Sequence, residues 1–343
     1  MMNAVILSPL VILLSMALLG CDRAGSPPRT PGAGLILLSE SSVSVGGVRL
    51  RAFITRPAKA RTSPAVLFIQ GYTCASVRLP LPQQKNHPYR HLVRGLSGAG
   101  FVVMRVEKSG VGGSGGGKCR DVDYKTDLKG FFAALLKLRS LPYVDSRKIV
   151  IFGHSMGGGF AAQLAEKIPV AGVMVYGAGF TSWLTYEREN YLRQLRLRKL
   201  PQKQLTSLMA DHELVLDLFY KKKMPMAQIC KAYPRLTSHC DRTFYLWERS
   251  FAYFQQLAAL DLGYHWSRVR APVLAMWGSA DITTSARDHR AIVNSIQAAY
   301  RAKTLYREFK DTDHSMERSD PSRPLPQFNS DIVHAMVTWM RSL

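Results

Sequence analysis

Short apolar runs alternate with amphipathic helical patterns along most of this chain, and that alternation constrains the fold more than any other feature of the sequence. The apolar runs have the length of strands and occur at residues 65–69, 101–106, 148–152, 171–176, 273–277 and 304–309. Strands that are apolar along their whole length are typical of a parallel sheet with helices on both faces. We therefore predict an α/β fold with a mostly parallel central sheet, preceded by an antiparallel hairpin around Gly46 and Gly47.

The alternation is interrupted between residues 180 and 262, where the pattern is helical and strand signals are few. It resumes after this segment and continues to the end of the chain. Ligands of parallel α/β sheets bind at the carboxyl ends of the strands. We therefore expect the segment at about 180–262 to form a helical lid over that edge, within one domain that spans residues 35–343.

The pentapeptide Gly153-His154-Ser155-Met156-Gly157 directly follows the apolar run 148–152 and leads into a helical pattern. A G-x-S-x-G sequence between a strand and a helix forms a tight turn that lifts the serine hydroxyl above the sheet. The N-terminus of the following helix offers N–H groups and a positive dipole end to a developing oxyanion. Ser155 is therefore predicted to be the nucleophile of a serine hydrolase, and a purely structural turn is the alternative.

With this motif between a strand and a helix, the chain from about residue 35 to residue 343 resembles the α/β-hydrolase superfamily. Within that superfamily it is most similar to the prolyl-oligopeptidase and serine-aminopeptidase-like branch. The resemblance implies a catalytic triad in the chain order nucleophile, acid and histidine. It also implies that the acid follows a late strand and that the histidine follows the last strand.

Two residues occupy the positions that this order implies. Asp281 follows the run 273–277, and His314 follows the run 304–309. Asp281 would orient the imidazole, and His314 would take the serine proton and deliver it to the leaving group. The alternative acids and bases fall within predicted helices or beside His314, and they are Asp288, His289, Asp311, Asp313 and His334.

An oxyanion hole for such a triad needs two backbone N–H groups. Met156, which follows the nucleophile, is predicted to provide one of them. The loop after the run 65–69 is predicted to provide the other through Tyr72, with Gly71 and Thr73 as alternatives. This chemistry requires neither a metal ion nor an organic cofactor.

Residues 110–115 also match the G-x-G-x-x-G fingerprint of dinucleotide-binding proteins. No helix opens at this point, and no second strand with a terminal acid follows about 20 residues later. Residues 107–114 resemble instead the D-x-R-G-x-G-x-S loop of the hydrolase superfamily. We therefore do not expect a nucleotide cofactor.

The N-terminal stretch 4–20 is apolar, and its length suits the hydrophobic region of a signal peptide better than a membrane span of about 20 residues. The run Leu18-Leu19-Gly20-Cys21 resembles a bacterial lipobox, in which the cysteine becomes the lipidated first residue of the mature chain. We therefore predict a signal peptide at 1–20, a lipid on Cys21 and a flexible tether at 21–34. An uncleaved anchor and a secretory signal with an incidental cysteine are the alternatives. In each case we expect an exported protein of the cell envelope.

Four further cysteines favour the same compartment, because an even number of cysteines in an exported protein indicates disulfides. Cys230 and Cys240 lie close together in the sequence and form one expected pair. Cys74 and Cys119 each follow a predicted strand and form the other. Metal binding is less favoured, because the sequence has neither a C-x-x-C pair nor a Cys/His cluster.

Lysine and arginine outnumber aspartate and glutamate by 46 to 24, which gives a formal net charge of +22. The basic residues are dispersed, and no nucleic-acid-binding motif accompanies them, so we do not expect a nucleic-acid partner. An anionic membrane surface, acidic envelope polymers and a simply solvated basic surface are all compatible with this charge. Membrane attachment is expected through the N-terminal lipid or anchor.

The sequence as a whole predicts two-step acyl transfer from an ester or amide to Ser155 and then to water. An esterase acting on small or medium acyl substrates is the first expectation. The alternatives are an aminopeptidase-like enzyme, an acyltransferase, and a catalytically silent hydrolase-fold protein that binds an envelope ligand.

Overall fold

The computed structural model describes residues 35–58, 61–79, 87–240, 249–319 and 325–343. The predicted signal peptide, Cys21 and the predicted tether lie outside these residues. Among the helices in the described part of the chain, none has the length and apolar character that a membrane crossing requires.

Eight strands form the central sheet, and they are β1 (Ile36–Val45), β2 (Val48–Pro57), β3 (Ser63–Ile69), β4 (Val102–Val106), β5 (Val144–His154), β6 (Gly172–Tyr176), β7 (Val273–Gly278) and β8 (Leu305–Phe309). Their order across the sheet is β1-β2-β4-β3-β5-β6-β7-β8. β1 pairs antiparallel with β2, and β2 pairs antiparallel with β4, whereas all other neighbours are parallel. The predicted mostly parallel sheet with an opening hairpin is therefore confirmed.

The side chains of β3 explain why its sequence is a continuous apolar run. Ala65, Leu67 and Ile69 belong to the hydrophobic cluster on one face of the sheet, and Val66 and Phe68 belong to the cluster on the other face. All five side chains are fully buried. Because helices cover both faces, neither set of alternating positions has to be polar.

The helices of the described residues are α1 (Pro88–Gly98), α2 (Tyr124–Arg139), α3 (Gly157–Lys167), α4 (Trp183–Leu197), α5 (Gln202–Leu216), α6 (Met226–Ala232), α7 (Thr237–Cys240), α8 (Phe251–Ala258), α9 (Leu262–Ser267), α10 (Ala286–Ser295) and α11 (Asp331–Arg341). Buried residues of α1 and α11 join the hydrophobic cluster that contains Val66 and Phe68. Buried residues of α2, α3 and α10 join the cluster on the opposite face. Helices therefore cover both faces of the sheet, as the sequence predicts.

Helices α4 to α9 are inserted between β6 and β7, in the region where the strand alternation of the sequence is interrupted. A buried ion pair joins this insertion to the body of the fold. Arg249, just before α8, donates from Nη2 to Oδ2 of Asp127 in α2 at 2.6 Å, and both side chains are fully buried. The Arg249 guanidinium also lies 4.2 Å from the ring centroid of Tyr253. Removing either charge would leave the other buried without compensation, so this pair fixes the insertion to α2.

The structure contains the two disulfides that the sequence predicts. Cys74 is bonded to Cys119, and Cys230 is bonded to Cys240. The first joins the loop after β3 to the segment before α2, and the second lies within the insertion. They therefore constrain two different parts of the chain.

Loop length predicts a larger stabilisation from the first disulfide than from the second. The sequence separations are 45 and 10 residues. Chain entropy then gives about 4 kcal/mol for Cys74–Cys119 and about 2.7 kcal/mol for Cys230–Cys240. We expect Cys74→Ala/Cys119→Ala to lower the free energy of unfolding by about 1 kcal/mol more than Cys230→Ala/Cys240→Ala, measured by urea unfolding. A larger loss from the Cys230–Cys240 pair would contradict this prediction.

Candidate active site

Ser155 lies in a tight turn between the end of β5 and the start of α3. Its backbone has a φ of 55°, in the left-handed region that a non-glycine residue seldom adopts. The Ser155 N–H donates to the carbonyl of Tyr176 at 2.9 Å. A Cβ at Gly157 would overlap the carbonyl of Ile69, and a Cβ at Gly153 would overlap the backbone of Gly157. The two glycines of the motif are therefore required for the close approach of α3 to β3 and β5.

Asp281 and His314 lie after β7 and β8, and they are in direct contact. His314 Nδ1 is 2.8 Å from Asp281 Oδ2. The Thr284 hydroxyl donates to the same oxygen at 2.7 Å, and the N–H groups of Thr283 and Thr284 donate to Oδ1. Burial raises the pKa of Asp281, but the hydrogen bonds from His314 and Thr284 outweigh burial and lower this pKa to about 2. The ionised carboxylate keeps the proton of a neutral His314 on Nδ1 and leaves Nε2 able to accept one.

The loop after β3 lies beside the serine. A Cβ at Gly71 would be 3.4 Å from the Ser155 Cβ, which is ordinary van der Waals contact. Lys108, which follows β4 and is buried, donates from Nζ to the carbonyl of Gly71 and to that of Thr73, the latter at 2.8 Å. Burial lowers the pKa of Lys108 to about 7, although the nearby Asp127 carboxylate opposes this shift. The lysine therefore fixes two carbonyl groups of this loop.

A second buried residue fixes the continuation of the same loop. The Glu107 carboxylate accepts from the Ser76 hydroxyl at 2.5 Å and from the Val77 N–H at 3.0 Å. Glu107 is fully buried. Glu107 and Lys108, which follow β4, thus both hold the loop after β3. Lys108 binds two of its carbonyl groups, and Glu107 binds two of its hydrogen-bond donors.

A cavity of about 570 Å³ lies between the carboxyl edge of the sheet and the inserted helices. Ser155, His314, Tyr72 and Met156 line it on the sheet side. Helix α4 contributes a largely aromatic and polar wall, made of Trp183, Tyr186, Glu187, Asn190, Tyr191 and Gln194. Among the described residues that line the cavity, none is lysine or arginine.

The structure thus brings the sequence-predicted residues together at one place. Ser155, His314, Tyr72 and Met156 face the same cavity, and Asp281 lies behind His314. Two of the alternatives have structural roles instead. The Asp288 carboxylate accepts from the Ser285 hydroxyl in the first turn of α10, and His289 Nε2 accepts from the Ala178 N–H at 3.0 Å.

Sequence reasoning missed the surroundings of His154, the residue before the predicted nucleophile. His154 Nε2 is 2.9 Å from the carbonyl of His314, and its Nδ1 is 2.6 Å from the Tyr89 hydroxyl. A carbonyl oxygen can only accept, so Nε2 carries the proton and Nδ1 accepts from Tyr89. Burial lowers the pKa of His154 to about 3, so the ring is neutral. Its position within the G-x-S-x-G motif was the only signal in the sequence.

The sequence matches the family described as serine aminopeptidase, S33, over residues 84–312. The match includes Ser155 and Asp281 and ends before His314. A comparison with curated proteins found no match.

Solved structures with similar folds include several esterases. Est1E from Butyrivibrio proteoclasticus, solved with ferulic acid bound, has a TM-score of 0.58 and 13% identity, and the match covers 88% of this chain and 98% of that one. An esterase of Pyrococcus furiosus has a TM-score of 0.55 and 13% identity, with 92% and 96% coverage. DcsB, solved in complex with a substrate analogue, has a TM-score of 0.56 and 17% identity, with 89% and 99% coverage. At these identities the likeness establishes the fold.

The low pKa of His154 predicts that the protein loses stability in mild acid. An unfolded histidine takes up a proton near pH 6.5, whereas the folded His154 does so only near pH 3. The unfolded state therefore binds the extra proton between these values, and the free energy of unfolding falls as the pH drops. From pH 8 to pH 5 the loss due to this residue is about 2 kcal/mol.

Urea unfolding at pH 8 and pH 5, for the wild type and for His154→Gln, measures this contribution. We expect the variant to be less stable at pH 8 but to lose less stability on acidification. Burial also lowers the pKa of His289, but that residue is common to both proteins and cancels in the comparison. An equal loss in the two proteins would show that His154 does not resist protonation.

Proposed function

Because the chain belongs to the serine aminopeptidase family, S33, of the α/β-hydrolases, we propose that it is a serine hydrolase with Ser155, Asp281 and His314 as its catalytic triad. The observation that carries this proposal is the contact between His314 and the ionised Asp281, at a cavity that Ser155 also lines. The left-handed backbone of Ser155 supports it further, because strained conformations of this kind are concentrated at active sites.

In the first step the Ser155 hydroxyl attacks the substrate carbonyl, and His314 Nε2 takes the serine proton. The hydrogen bond from Nδ1 to Asp281 stabilises the imidazolium that results. Collapse of the tetrahedral intermediate releases the leaving group, which receives that proton from His314. Water then attacks the acyl enzyme by the same route and frees the acid.

The tetrahedral intermediate carries a negative oxygen, and the N–H groups of Met156 and Tyr72 stabilise it in this proposal. Met156 lies at the N-terminal end of α3, where N–H groups lack partners within the helix. Tyr72 lies in the loop that Lys108 holds against Ser155. Both residues line the cavity. Each such donor contributes about 3–4 kcal/mol to the stabilisation of the transition state.

The substrate we propose is a carboxylic ester with a small or medium acyl group. The cavity of about 570 Å³ supports this choice, since pockets for small molecules measure roughly 300–1,000 Å³. The aromatic side chains Trp183, Tyr186 and Tyr191 provide apolar contact for an acyl or alkoxy group. Hydrolysis of an aminoacyl amide is the alternative reaction of the same triad.

Active-site labelling and kinetics test the triad directly. We expect wild type to react with a fluorophosphonate probe and Ser155→Ala not to react. Asp281→Asn should lower kcat on a short acyl ester by about 10⁴, because the imidazole then loses its tautomer and its counter-charge.

Asp311→Asn is the matched control for Asp281→Asn, because Asp311 is an exposed carboxylate close to His314 in sequence. It should keep the activity of the wild type. An equal loss in the two Asp→Asn variants would contradict the assignment of the acid. A higher kcat/KM on an aminoacyl amide than on the ester would contradict the proposed esterase activity and support a peptidase activity instead.

We also propose that the protein is exported and held at a membrane by a lipid on Cys21. The apolar stretch 4–20 and the lipobox-like run 18–21 support this proposal. The two disulfides agree with it, because disulfides persist in oxidising compartments. The net charge of +22 would favour an anionic membrane as the neighbouring surface.

Cell fractionation tests the anchor. We expect the wild type in the membrane fraction and Cys21→Ala in the soluble fraction, because the lipidated residue is lost. Metabolic labelling with a fatty-acid probe should mark only the wild type. Equal membrane retention of the two proteins, with no label on either, would point to an uncleaved N-terminal anchor.

A further inference from the structure

We propose that Tyr89 is a positioning residue that aligns three active-site segments through a hydrogen-bonded chain centred on His154. The segments are the oxyanion loop (residues 70–73), the nucleophile turn (residues 153–157) and the histidine loop (residues 310–315). This inference rests on the function proposed above. It assigns a role to a residue that lies outside the cavity and outside the triad.

The Tyr89 hydroxyl connects the first two segments. It donates to Nδ1 of His154, which belongs to the nucleophile turn, at 2.6 Å. Burial raises the pKa of this phenol, and a hydrogen bond from the backbone N–H of Gly71, in the oxyanion loop, acts in the opposite direction and lowers it. The Tyr89 hydroxyl therefore donates a hydrogen bond to the nucleophile turn and accepts one from the oxyanion loop.

His154 connects the chain to the third segment. Its Nε2–H donates to the carbonyl of His314 at 2.9 Å. The sequence of bonds is therefore Gly71 N–H to Tyr89, Tyr89 O–H to His154, and His154 Nε2–H to the His314 carbonyl. Each member donates in one direction only, because the carbonyl at the end cannot donate. Reversing any bond would leave a buried polar group unsatisfied, so the chain specifies one arrangement of the three segments.

The oxyanion loop shows why this alignment affects catalysis. Tyr89 holds the N–H of Gly71, and Lys108 holds the carbonyl of the same residue. In a trans peptide, the N–H of the next residue points away from that carbonyl. Fixing the Gly71 carbonyl therefore also fixes the direction of the Tyr72 N–H, which is the proposed oxyanion donor. Tyr89 and Lys108 together fix both peptide planes that flank Gly71.

Loss of the Tyr89 hydroxyl should therefore weaken stabilisation of the transition state more than binding of the substrate. The phenyl ring of Tyr89→Phe keeps its edge-to-face contact with Phe68, whose ring centroid lies 4.7 Å away. Removing one oxyanion donor lowers kcat by a factor of 10²–10³. Displacing a donor without removing it should lower kcat by a smaller factor. We expect kcat to fall by about 10-fold to 100-fold, with KM within about twofold of wild type.

Tyr124→Phe is the matched control. Tyr124 is buried, and its hydroxyl is hydrogen-bonded to the side chain of Gln163 in α3, outside the three segments. Both variants lose one hydrogen-bonded hydroxyl and should lose similar stability in urea unfolding. We expect Tyr124→Phe to keep the kcat of the wild type. Equal kcat losses in the two variants, or an unchanged kcat in Tyr89→Phe, would overturn the proposal.

A boronic acid, which forms a tetrahedral adduct with an active serine, separates positioning from general destabilisation. In folded Tyr89→Phe, we expect its affinity to fall by the same factor as kcat, while the affinity for the carboxylic acid product stays unchanged. Equal losses of affinity for both ligands would indicate a distorted cavity and reject the positioning role. Failure of the wild type to react with a fluorophosphonate would instead reject the proposed function, so the two failures are distinguishable.

Discussion

The close approach of β3 to the start of α3 is the constraint on which the rest of the site depends. The Gly157 backbone lies so near the Ile69 carbonyl that a Cβ at Gly157 would overlap it, and the turn between β5 and α3 has no room to widen. Ser155 consequently adopts a φ of 55°, a conformation that costs about 1–3 kcal/mol and persists only where the surroundings impose it. The sheet provides that force, since residues 65–69 of β3 pair with residues 149–153 of β5 and both of these stretches are buried. The hydrophobic core thus holds the serine in a position that the serine alone would not adopt.

Buried ionisable side chains hold the loops around that turn. Glu107 and Lys108 follow β4 and bind the loop after β3 from two directions, while the Asp127–Arg249 pair fixes the inserted helices to α2. Such groups are expensive to bury, and removing one partner of a buried pair costs about 3–5 kcal/mol. They nevertheless favour a single conformation of the loops, because a charged group with fixed partners tolerates few alternative arrangements. The alignment of the cavity therefore depends on residues that do not line it.

The sequence predicts the local elements and the order of the proposed triad well, because both are encoded in short patterns. The continuous apolar run of β3 predicts a doubly covered strand, and the motif around Ser155 follows directly from its flanking strand and helix. The sequence does not predict that β4 lies between β2 and β3, nor that β5 begins as early as Val144. The polar residues 145–148 carry no apolar signal, and only Val144, which precedes them, pairs with Ser63. Contacts such as that of Tyr89 with His154 join residues 65 positions apart, so only the folded chain reveals them.

The net charge of the whole chain contrasts with the composition of the described cavity lining. The whole chain has a formal charge of +22, yet the described residues that line the cavity include no lysine or arginine. Fields from exposed charges are screened within about 8 Å at physiological ionic strength. In the proposed function, the excess of basic residues would attract an anionic surface outside the protein, whereas the described lining of the cavity offers an anionic substrate no cationic side chain. In the same proposal, the aromatic and polar wall of α4 would select the substrate, and the net charge would act on where the protein resides.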